Sequence, residues 1–503
     1  MKKILINNEI WQTRVAILCD EKLQDIYFDT PSKEALERCF FKGSVSKVLP
    51  GIQTAFVDIG KNKAGFLHIT EIDRALATEK VLEFLQVEDE EDVSRREIKT
   101  NLDIGKIFNE NEAILVQVIK EPIHEKGAKL TTCFTLPGKF VVLMPNIPQV
   151  GVSRKIENKE ERIRLKEMIS QCLPKGMGAI IRTTAEGRTQ KELKRDLSYL
   201  IATWNSILKK FKRATIGEKL HEDLPLTLRV IRDHLDEDVE IVISDNQDVQ
   251  QKIYKFIKSF TPELSNKIRF FQGPPSLFQQ FEVEDQIEKA LQKKVSLKSG
   301  GTLIIESTEA MTVIDVNTGK FTGTGSLEDT ILKTNLEAAD ELVTQLRLRN
   351  IGGLIVIDFI DMATATNRQK LSRHLEKRLK ERDKFQSVML KISEFGIIQM
   401  TRKRSGKTLV QQLTNVCPVC SSSGFIKSIE TISFEILRKV QEEIRRHALS
   451  GSIVLTVPIK IFDHLIHREY TAILELEKKL QHKIVLESNE KLEGAQFKIS
   501  PFE

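Results

Sequence analysis

The chain has 503 residues, 40% of them hydrophobic and 29% charged, with a formal net charge of +6. At roughly 150 residues per domain, this length predicts about three to four domains that bury their own cores without disulfides. The sequence has neither the roughly 18 consecutive apolar residues of a membrane span nor the apolar core of a secretory signal, so we expect a cytoplasmic protein without a spanning helix. The small net charge says little about partners, because polyanion binding depends on local patches.

The N-terminal segment alternates apolar and polar side chains, and this alternation predicts a β-hairpin through Ile4, Ile6, Val15 and Ile17. A hairpin of this length does not fold alone. Its best partner is the strand-like EIVIS run within residues 227–246. We therefore expect the two distant segments to share one sheet.

Short β runs follow between residues 43 and 69, where glycines recur at a spacing typical of a small coiled barrel. The run AILVQVI at 113–119 predicts another barrel strand, and the acidic run at 87–93 favours a solvated loop. Phe56 and Phe66 flank a turn between two predicted strands. Their rings could stack unpaired bases, at about 1–3 kcal/mol each, although core packing is the favoured interpretation from the residues alone.

Two groups of polar residues are candidate phosphate contacts. Arg182 and Thr183 place a guanidinium beside a hydroxyl, which suits a terminal phosphate, but by themselves they are typical of a surface loop. Arg402, Lys403 and Arg404 form a basic run that suits a nucleic-acid backbone. A solvated run is the competing interpretation of those three.

From residue 300 the pattern predicts an α/β layer. GGTLIIESTEAMTVIDVNTG indicates two strands around a tight turn, and Ser326 opens the amphipathic helix that follows. Gly352 and Gly353 end that helix, and LIVIDFIDM then predicts a strand buried on both faces of a sheet. The remaining C-terminal sequence is typical of a small separate α/β unit.

Acidic residues near the ends of two predicted strands are the candidate catalytic groups. Asp315 and Asn317 are two positions apart and share a face of their strand, and Asp358 follows 43 residues later (358 minus 315). An intervening helix would return the chain to the same sheet. Two unpaired carboxylates favour a hard divalent cation such as Mg²⁺ or Mn²⁺, a common arrangement for phosphodiester hydrolysis. Ordinary turn and capping chemistry is the competing interpretation, and Asp361 is a second candidate ligand.

Cys417 and Cys420 form a CPVC knuckle with the spacing of a zinc site. Tetrahedral zinc needs four ligands, and the chain has no second pair of this kind. A downstream His donor stays open, the candidates being His447, His464 and His467. Redox use of the pair is the weaker alternative because no thioredoxin-like pattern surrounds it. The economical solution is a zinc ion shared by two copies of the chain on a two-fold axis.

Several blocks occur in an order that resembles the bacterial ribonuclease E/G family of endoribonucleases: MTVIDVNTG, NLEAA, LRLRNIGGLIVIDFIDM, QMTRKR and CPVC. The resemblance runs over nearly the whole chain. Because the chain has no long disordered Arg- and Pro-rich tail, we expect it to be most similar to the shorter members of that family.

The resemblance implies a multi-domain α/β plus β fold. Its expected parts are a discontinuous ribonuclease-H-like domain (1–35 and 226–290), an inserted OB-fold RNA-binding barrel (36–122), a 5′-sensor region (123–225), a DNase-I-like catalytic domain (291–412), a zinc link (413–426) and a small C-terminal α/β domain (427–503).

The resemblance also implies roles for residues of this sequence. It implies that Asp315 and Asp358 hold a catalytic Mg²⁺ and that Asn317 supports one of them by hydrogen bonding. On the barrel and near the RNA path, the positions that match the family are Phe56, Phe66, Lys120 and Lys126.

A pocket for a 5′-monophosphate is implied by four further matching positions, Gly138, Val142, Arg182 and Thr183. One departure concerns ISEF at 392–395, where the family more usually has ISRF. Glu394 would repel phosphate, so the contact usual at that place is not expected here.

The implied function is Mg²⁺-dependent cleavage of single-stranded RNA at A/U-rich sites, leaving a 5′-phosphate and a 3′-hydroxyl and favouring 5′-monophosphorylated substrates. The resemblance implies ribosomal RNA precursor processing and mRNA turnover by a homodimer with shared zinc, and it leaves a dimer of dimers open. A non-catalytic, ribosome-associated RNA-binding factor would not need the paired carboxylates. Only the resemblance argues against a metal-dependent deoxyribonuclease.

Overall fold

The computed structural model describes residues 1–31, 35–73, 103–122, 127–318, 327–404, 406–421, 423–447, 451–492 and 494–501. The chain divides into two compact units, Met1–Val410 and Gln411–Glu503. Within the described ranges, no helix combines the length and the apolar character needed to cross a membrane. The acidic run at 87–93, Lys126 and Ser326 lie outside the described residues.

The described strands are β1 (Lys2–Asn8), β2 (Thr13–Cys19), β3 (Lys22–Asp29), β4 (Phe40–Leu49), β5 (Thr54–Asp58), β6 (Gly65–His68), β7 (Ala113–Lys120), β8 (Lys129–Thr131), β9 (Leu136–Pro137), β10 (Val141–Met144), β11 (Val150–Val152), β12 (Gly178–Ile181), β13 (Lys219–His221), β14 (Val239–Ser244), β15 (Ile268–Phe270), β16 (Lys294–Ser296), β17 (Thr302–Ser307), β18 (Met311–Asn317), β19 (Gly353–Asp358), β20 (Ser387–Met389), β21 (Ile397–Arg402), β22 (Ile453–Val457), β23 (Ile484–Ser488) and β24 (Lys498–Pro501). The described helices are α1 (Ile104–Ile107), α2 (Lys159–Cys172), α3 (Gln190–Arg213), α4 (Leu226–His234), α5 (Gln247–Phe260), α6 (Leu277–Gln280), α7 (Val283–Leu291), α8 (Leu327–Leu348), α9 (Ala365–Arg382), α10 (Leu409–Leu413), α11 (Ile429–His447), α12 (Ile459–His467) and α13 (Tyr470–Leu480).

The N-terminal sheet is five-stranded, with the order β15-β14-β1-β2-β3. β1 and β2 form the predicted antiparallel hairpin, and β14 pairs with β1 in parallel, which confirms the expected association of two distant segments. Successive side chains of β1 point to opposite faces. Ile4 and Ile6 therefore pack against α4 and α5, whereas Leu5 packs against α6 and α7. Helices of the later segment thus bury both faces of the hairpin.

A closed barrel is formed by β4, β5, β6, β8 and β7 in that order, with β7 also paired to β4. This barrel is consistent with the predicted OB-like domain. Val45, Val57 and Leu67 contribute to its apolar interior, and β13 extends the sheet at β4. The barrel continues past the border predicted at residue 122, because its closure requires β8, which begins at Lys129.

A four-stranded sheet of order β11-β12-β10-β9 follows the barrel. Leu165 of α2 and Leu193 of α3 pack against Val141 and Ile181 on one side of it. Further apolar side chains of α3, among them Leu197, Leu200 and Trp204, join a cluster that contains Phe40 of the barrel strand β4. The long helix α3 therefore connects this sheet to the barrel.

Apart from the barrel, the third sheet of the first unit has six strands in the order β16-β17-β18-β19-β21-β20. β17 and β18 form the predicted hairpin, and β19 returns parallel to β18 after α8. Helices α8 and α9 pack on one face, where Ile355 and Ile357 of β19 are fully buried. The prediction that β19 is buried on both faces is wrong, since Leu354 on the opposite face is 40% exposed. The uncovered face carries the carboxylates described below.

A buried group of charges connects the first and third sheets. Asp25 of β3 accepts hydrogen bonds from Arg347 Nε of α8, at 3.1 Å to both of its oxygens, and from Lys384 Nζ at 3.0 Å. Burial alone would raise the pKa of Asp25, but hydrogen bonds and charge from Arg347, with Lys384 beside it, hold that pKa well below its usual range. These contacts fix β3 against the helical layer of the third sheet.

The second unit contains a three-stranded sheet of order β23-β22-β24, in which β22 pairs with β23 in parallel and with β24 in antiparallel. Helices α11, α12 and α13 share one apolar core with it, built around Val440, Leu455 and Leu465. The prediction of a small separate α/β unit at the C-terminus is confirmed.

Candidate active site and RNA-binding surfaces

The candidate catalytic residues meet on the uncovered face of the third sheet. Asp315 of β18 is directly opposite Asp358 of β19 in the parallel register. Neighbouring strands lie about 4.8 Å apart, and directly opposite residues share a face. Asn317 Nδ2 donates a hydrogen bond to Asp315 Oδ2 at 2.7 Å. The structure therefore brings together the three residues that the sequence singles out, while their catalytic role stays a prediction.

The electrostatics of this site follow from two like charges on adjacent strands. Burial, followed by the carboxylates of Asp315 and Asp361, raises the pKa of Asp358. Within the described part of the chain, neither Asp315 nor Asp358 forms an ion pair with a basic side chain. No group of three or more His, Cys, Asp or Glu side chains arranged for a metal is found among the described residues either. The donors at the two strand ends are thus the carboxylates of Asp315 and Asp358 and the Asn317 amide oxygen, with the carboxylate of Asp361, the second candidate ligand, near Asp358.

Asn335 supports the loop after β19 and is a residue that the sequence interpretation missed. This fully buried side chain on α8 donates from Nδ2 to the carbonyl of Ile360 at 2.9 Å and accepts from the Ile360 N–H at 3.1 Å. Ile360 lies between Asp358 and Asp361, so both hydrogen bonds fix the backbone that carries the acidic residues. The only signal in the sequence is an Asn on the apolar side of a predicted helix.

The barrel carries a row of aromatic and basic side chains on its outer surface. Direct cross-strand partners connect Lys47 to Phe56, Phe56 to Phe66, Phe66 to Lys129 and Lys129 to Lys120. Both phenylalanines are half-buried and stand apart from the apolar core of the barrel, so the core interpretation is wrong for them. Lys47 and Lys129 were not singled out from the sequence, because only the strand register reveals that they flank the rings.

The predicted 5′-phosphate pocket lies at one end of β10 and β12. Arg182 Nη1 donates to the carbonyl of Gly138 and to Asp233 Oδ1, both at 2.7 Å. The exposed Thr183 follows Arg182 directly, and Val142 is half-buried on β10. The structure thus brings Gly138, Arg182 and Thr183 together, with Val142 on the adjoining strand.

Arg402 does not belong to a nucleic-acid surface, so its predicted RNA contact is wrong. Its guanidinium is buried against Asp383, with Nε 2.6 Å and Nη2 2.8 Å from the two carboxylate oxygens. Lys403 and Arg404 are exposed, as an RNA contact requires. Arg404 lies so close to Gly353 that a Cβ there would be 2.5 Å from Arg404 Nε. Arg402 thus lies on the buried side of β21 at its last residue, whereas Lys403 and Arg404 follow the strand and are exposed.

Cys417 and Cys420 lie on a tight turn in the second unit. The N–H of Ser421 donates to the Cys417 carbonyl at 2.9 Å, and hydrogen bonds from the backbone of Cys420 and Val419 lower the pKa of the Cys417 thiol. Such bonds favour the thiolate, which is the form that binds metal. Among the described residues no third ligand joins the pair, so neither His464 nor His467 completes a site. The side chain of His447 lies outside those residues.

Two strand-borne carboxylates that have no cationic partner among the described residues, in a chain whose barrel presents aromatic and basic side chains, are typical of hydrolases that act on nucleic acid. The model of the "Ribonuclease E/G family" matches residues 135–405, and the model "RNase E/G, Thioredoxin-like domain" matches residues 416–502. The chain belongs to the ribonuclease E/G family, which is a family of endoribonucleases.

Individual relatives agree with this membership. Ribonuclease G of Escherichia coli (strain K12) is 38% identical over 441 residues, which cover 87% of each chain. Ribonuclease G of Haemophilus influenzae is 35% identical over 498 residues, or 99% of both chains. Ribonuclease E of the same species is 34% identical over 502 residues, but these cover only 52% of its length. The expected similarity to shorter members of the family is therefore confirmed.

The second family match changes one argument about the cysteines. The residues around Cys417 and Cys420 show no thioredoxin-like pattern, but a thioredoxin-like family model matches this part of the chain, so the missing pattern does not argue against redox use. The geometry supplies a separate reason against redox use. Reactive CxxC pairs are activated at helix N-termini, whereas Cys420 lies on a turn and α11 begins only at Ile429.

Proposed function

We propose that this protein is a Mg²⁺-dependent endoribonuclease that cuts single-stranded RNA internally and leaves 5′-phosphate and 3′-hydroxyl ends. The observation that carries the proposal is the pairing of Asp315 with Asp358 in a chain of the ribonuclease E/G family. Membership of the family also supports processing of ribosomal RNA precursors and mRNA turnover in the cytoplasm as its cellular role.

The donor set suits a hard divalent cation. Asp315 and Asp358 would hold Mg²⁺, because a bound cation offsets the two negative charges that lie directly opposite each other. Mg²⁺ bound at this site would supply an activated water and would offset negative charge on the phosphate that is attacked. Asn317 orients the Asp315 carboxylate by occupying its Oδ2 atom, at 2.7 Å. Asn335 keeps the loop that follows Asp358 in place through both polar groups of its side chain.

The outer row of the barrel is the proposed binding surface for the RNA strand. Phe56 and Phe66 offer adjacent ring faces for unpaired bases. The exposed Lys47 beside Phe56 can contact a phosphate, whereas Lys129 beside Phe66 donates to Glu71 and offers less free charge. The exposed Lys403 and Arg404 would add contacts to the RNA backbone near the third sheet. Half-buried rings with lysine neighbours are the arrangement expected of a stacking surface for single strands.

A 5′-monophosphate is the proposed ligand of the pocket around Arg182. Nη1 of Arg182 is held by Gly138 and Asp233, while its Nε and Nη2 atoms form no hydrogen bond within the described residues. Two parallel donors of a guanidinium match two oxygens of a phosphate, and the Thr183 hydroxyl adds a third donor. We therefore propose that 5′-monophosphorylated RNA is cut faster than triphosphorylated or circular RNA.

A zinc ion shared by two copies of the chain is the proposed role of Cys417 and Cys420. Two thiolates from each copy complete a tetrahedral set that one copy lacks. The apolar side chains around the knuckle support this proposal, since Val416, Val419 and Phe425 are 70%, 74% and 79% exposed. Several exposed apolar side chains within one short segment are typical of a protein interface. Whether such dimers pair further is left open.

Cleavage assays test the enzymatic proposal against its rivals. A 5′-monophosphorylated oligoribonucleotide and its deoxy version are incubated with the protein and Mg²⁺, and we expect cleavage of the RNA alone. Asp315→Asn should abolish it, whereas Glu306→Gln, which removes another exposed carboxylate of the same sheet, should not. An RNA that binds but stays intact would favour a non-catalytic RNA-binding factor, and cleavage of the deoxy strand would favour a deoxyribonuclease.

A further inference from the structure

We propose that Asp196 on α3 is a positioning residue that orients the two peptide groups holding Arg182, and that it thereby sets the preference for a 5′-monophosphate. The inference rests on the proposed 5′-phosphate pocket, because it names a residue that gives this pocket its shape. Asp196 acts through the backbone of the loop between β9 and β10 and not by contact with RNA.

Asp196 is a carboxylate at a core position. It lies on the buried side of α3 between Leu193 and Leu197, and it is only 1% exposed. A buried carboxylate is costly unless its oxygens are satisfied. Here they accept three consecutive backbone N–H groups, from Lys139 at 3.2 Å, Phe140 at 2.8 Å and Val141 at 3.1 Å. The loop is therefore wrapped around the carboxylate.

Two of these three peptide groups also direct their carbonyl oxygens towards Arg182. The peptide that donates the Lys139 N–H also contains the Gly138 carbonyl, which accepts from Arg182 Nη1 at 2.7 Å. The peptide that donates the Val141 N–H contains the Phe140 carbonyl, which accepts the Arg182 N–H at 2.9 Å. In a planar trans peptide the N–H and C=O point in opposite directions. By fixing both N–H groups, Asp196 also fixes both carbonyls that hold Arg182.

The same carboxylate explains why residue 138 is glycine. A Cβ on Gly138 would lie 2.5 Å from Asp196 Oδ2 and 2.7 Å from Oδ1, which is closer than side chains tolerate. The glycine at this pocket position is thus a steric requirement of Asp196. A substitution at either position should disturb the same loop, so their effects on 5′-end preference should not be independent.

The test compares kcat/KM on two RNAs of one sequence, with a 5′-monophosphate or a 5′-hydroxyl, in the full-length protein. Asp196→Asn replaces one carboxylate oxygen with an NH2 group, which cannot accept a hydrogen bond from a backbone N–H. We therefore expect the monophosphate preference to fall by about tenfold, as for the loss of one charge-assisted hydrogen bond. Asp245→Asn is the matched control, because this carboxylate also accepts a backbone N–H, that of Asn8 at 2.9 Å, but in the N-terminal sheet. It should keep the wild-type preference.

The outcomes separate this inference from the pocket itself. A wild-type protein without any preference would overturn the 5′-phosphate pocket, and this inference with it. A wild-type preference that Asp196→Asn retains would overturn only the role of Asp196. If Asp196→Asn does not fold, as judged by circular dichroism, Gly138→Ala replaces it, since the added methyl group presses on the same carboxylate. Retained preference in that variant would equally refute the proposal.

Discussion

Replacing Arg402 by alanine distinguishes a buried structural charge from one available to RNA. The guanidinium of Arg402 pairs with Asp383 through two hydrogen bonds, and the two side chains are 0% and 1% exposed. Removing one member of such a pair leaves the other charge uncompensated in the interior, at a cost of about 3–5 kcal/mol. We therefore expect Arg402→Ala to lower the free energy of unfolding by about that amount, without a selective loss of RNA affinity.

Urea unfolding followed by tryptophan fluorescence measures the stability, and fluorescence anisotropy with a labelled single-stranded RNA measures the binding. Lys403→Ala is the matched control, because Lys403 is the neighbouring basic residue and is exposed. We expect it to change stability by less than about 0.5 kcal/mol and to weaken RNA binding. If Arg402→Ala unfolds like the wild type but binds RNA as poorly as Lys403→Ala, the assignment of Arg402 to the interior is refuted.

Further predictions concern protonation, stacking and zinc. Burial and the Asp315 charge raise the pKa of Asp358, so this carboxylate takes up a proton at a higher pH than an ordinary aspartate does. Mg²⁺ binding should therefore begin to weaken at that higher pH as the pH is lowered. Carboxyl NMR titration of the metal-free protein should show a lower pKa of Asp358 in Asp315→Asn than in the wild type. Phe56→Ala should weaken single-stranded RNA binding by about 1–3 kcal/mol in anisotropy measurements and leave the unfolding midpoint unchanged, since the ring lies outside the barrel core. Cys417→Ser or Cys420→Ser should lose zinc and convert a dimer to a monomer in light scattering, and a dimer of unchanged mass would count against the shared site.

Much of the fold could be predicted because local patterns encode it. The alternation around Ile4 and Ile6 has the period of a strand, and the EIVIS run has the composition of its parallel neighbour. The same reasoning failed for β19, whose apolar sequence does not reveal that helices cover only one side of its sheet. The predicted end of the barrel at residue 122 was also wrong, because β8 is only three residues long and its sequence shows little strand pattern.

The candidate site residues could likewise be predicted only in part. Asp315 and Asp358 could be paired from the sequence, because a strand, a helix and a parallel strand return the chain to neighbouring positions. The buried environment of Arg402 could not be predicted, because nothing in the sequence indicates that the fold brings Asp383 next to it. Asp196 resembles a solvated helix residue in the sequence, and its partners are backbone N–H groups, which no residue type signals.

Calorimetric titration of Mg²⁺, paired with RNA cleavage by the same preparations, tests most directly whether Asp315 and Asp358 together hold the cation used for catalysis. We expect saturable Mg²⁺ binding and cleavage in the wild type and in Glu306→Gln, and the loss of both in Asp315→Asn and in Asp358→Asn. Undiminished Mg²⁺ binding and cleavage in either aspartate variant would contradict the shared site.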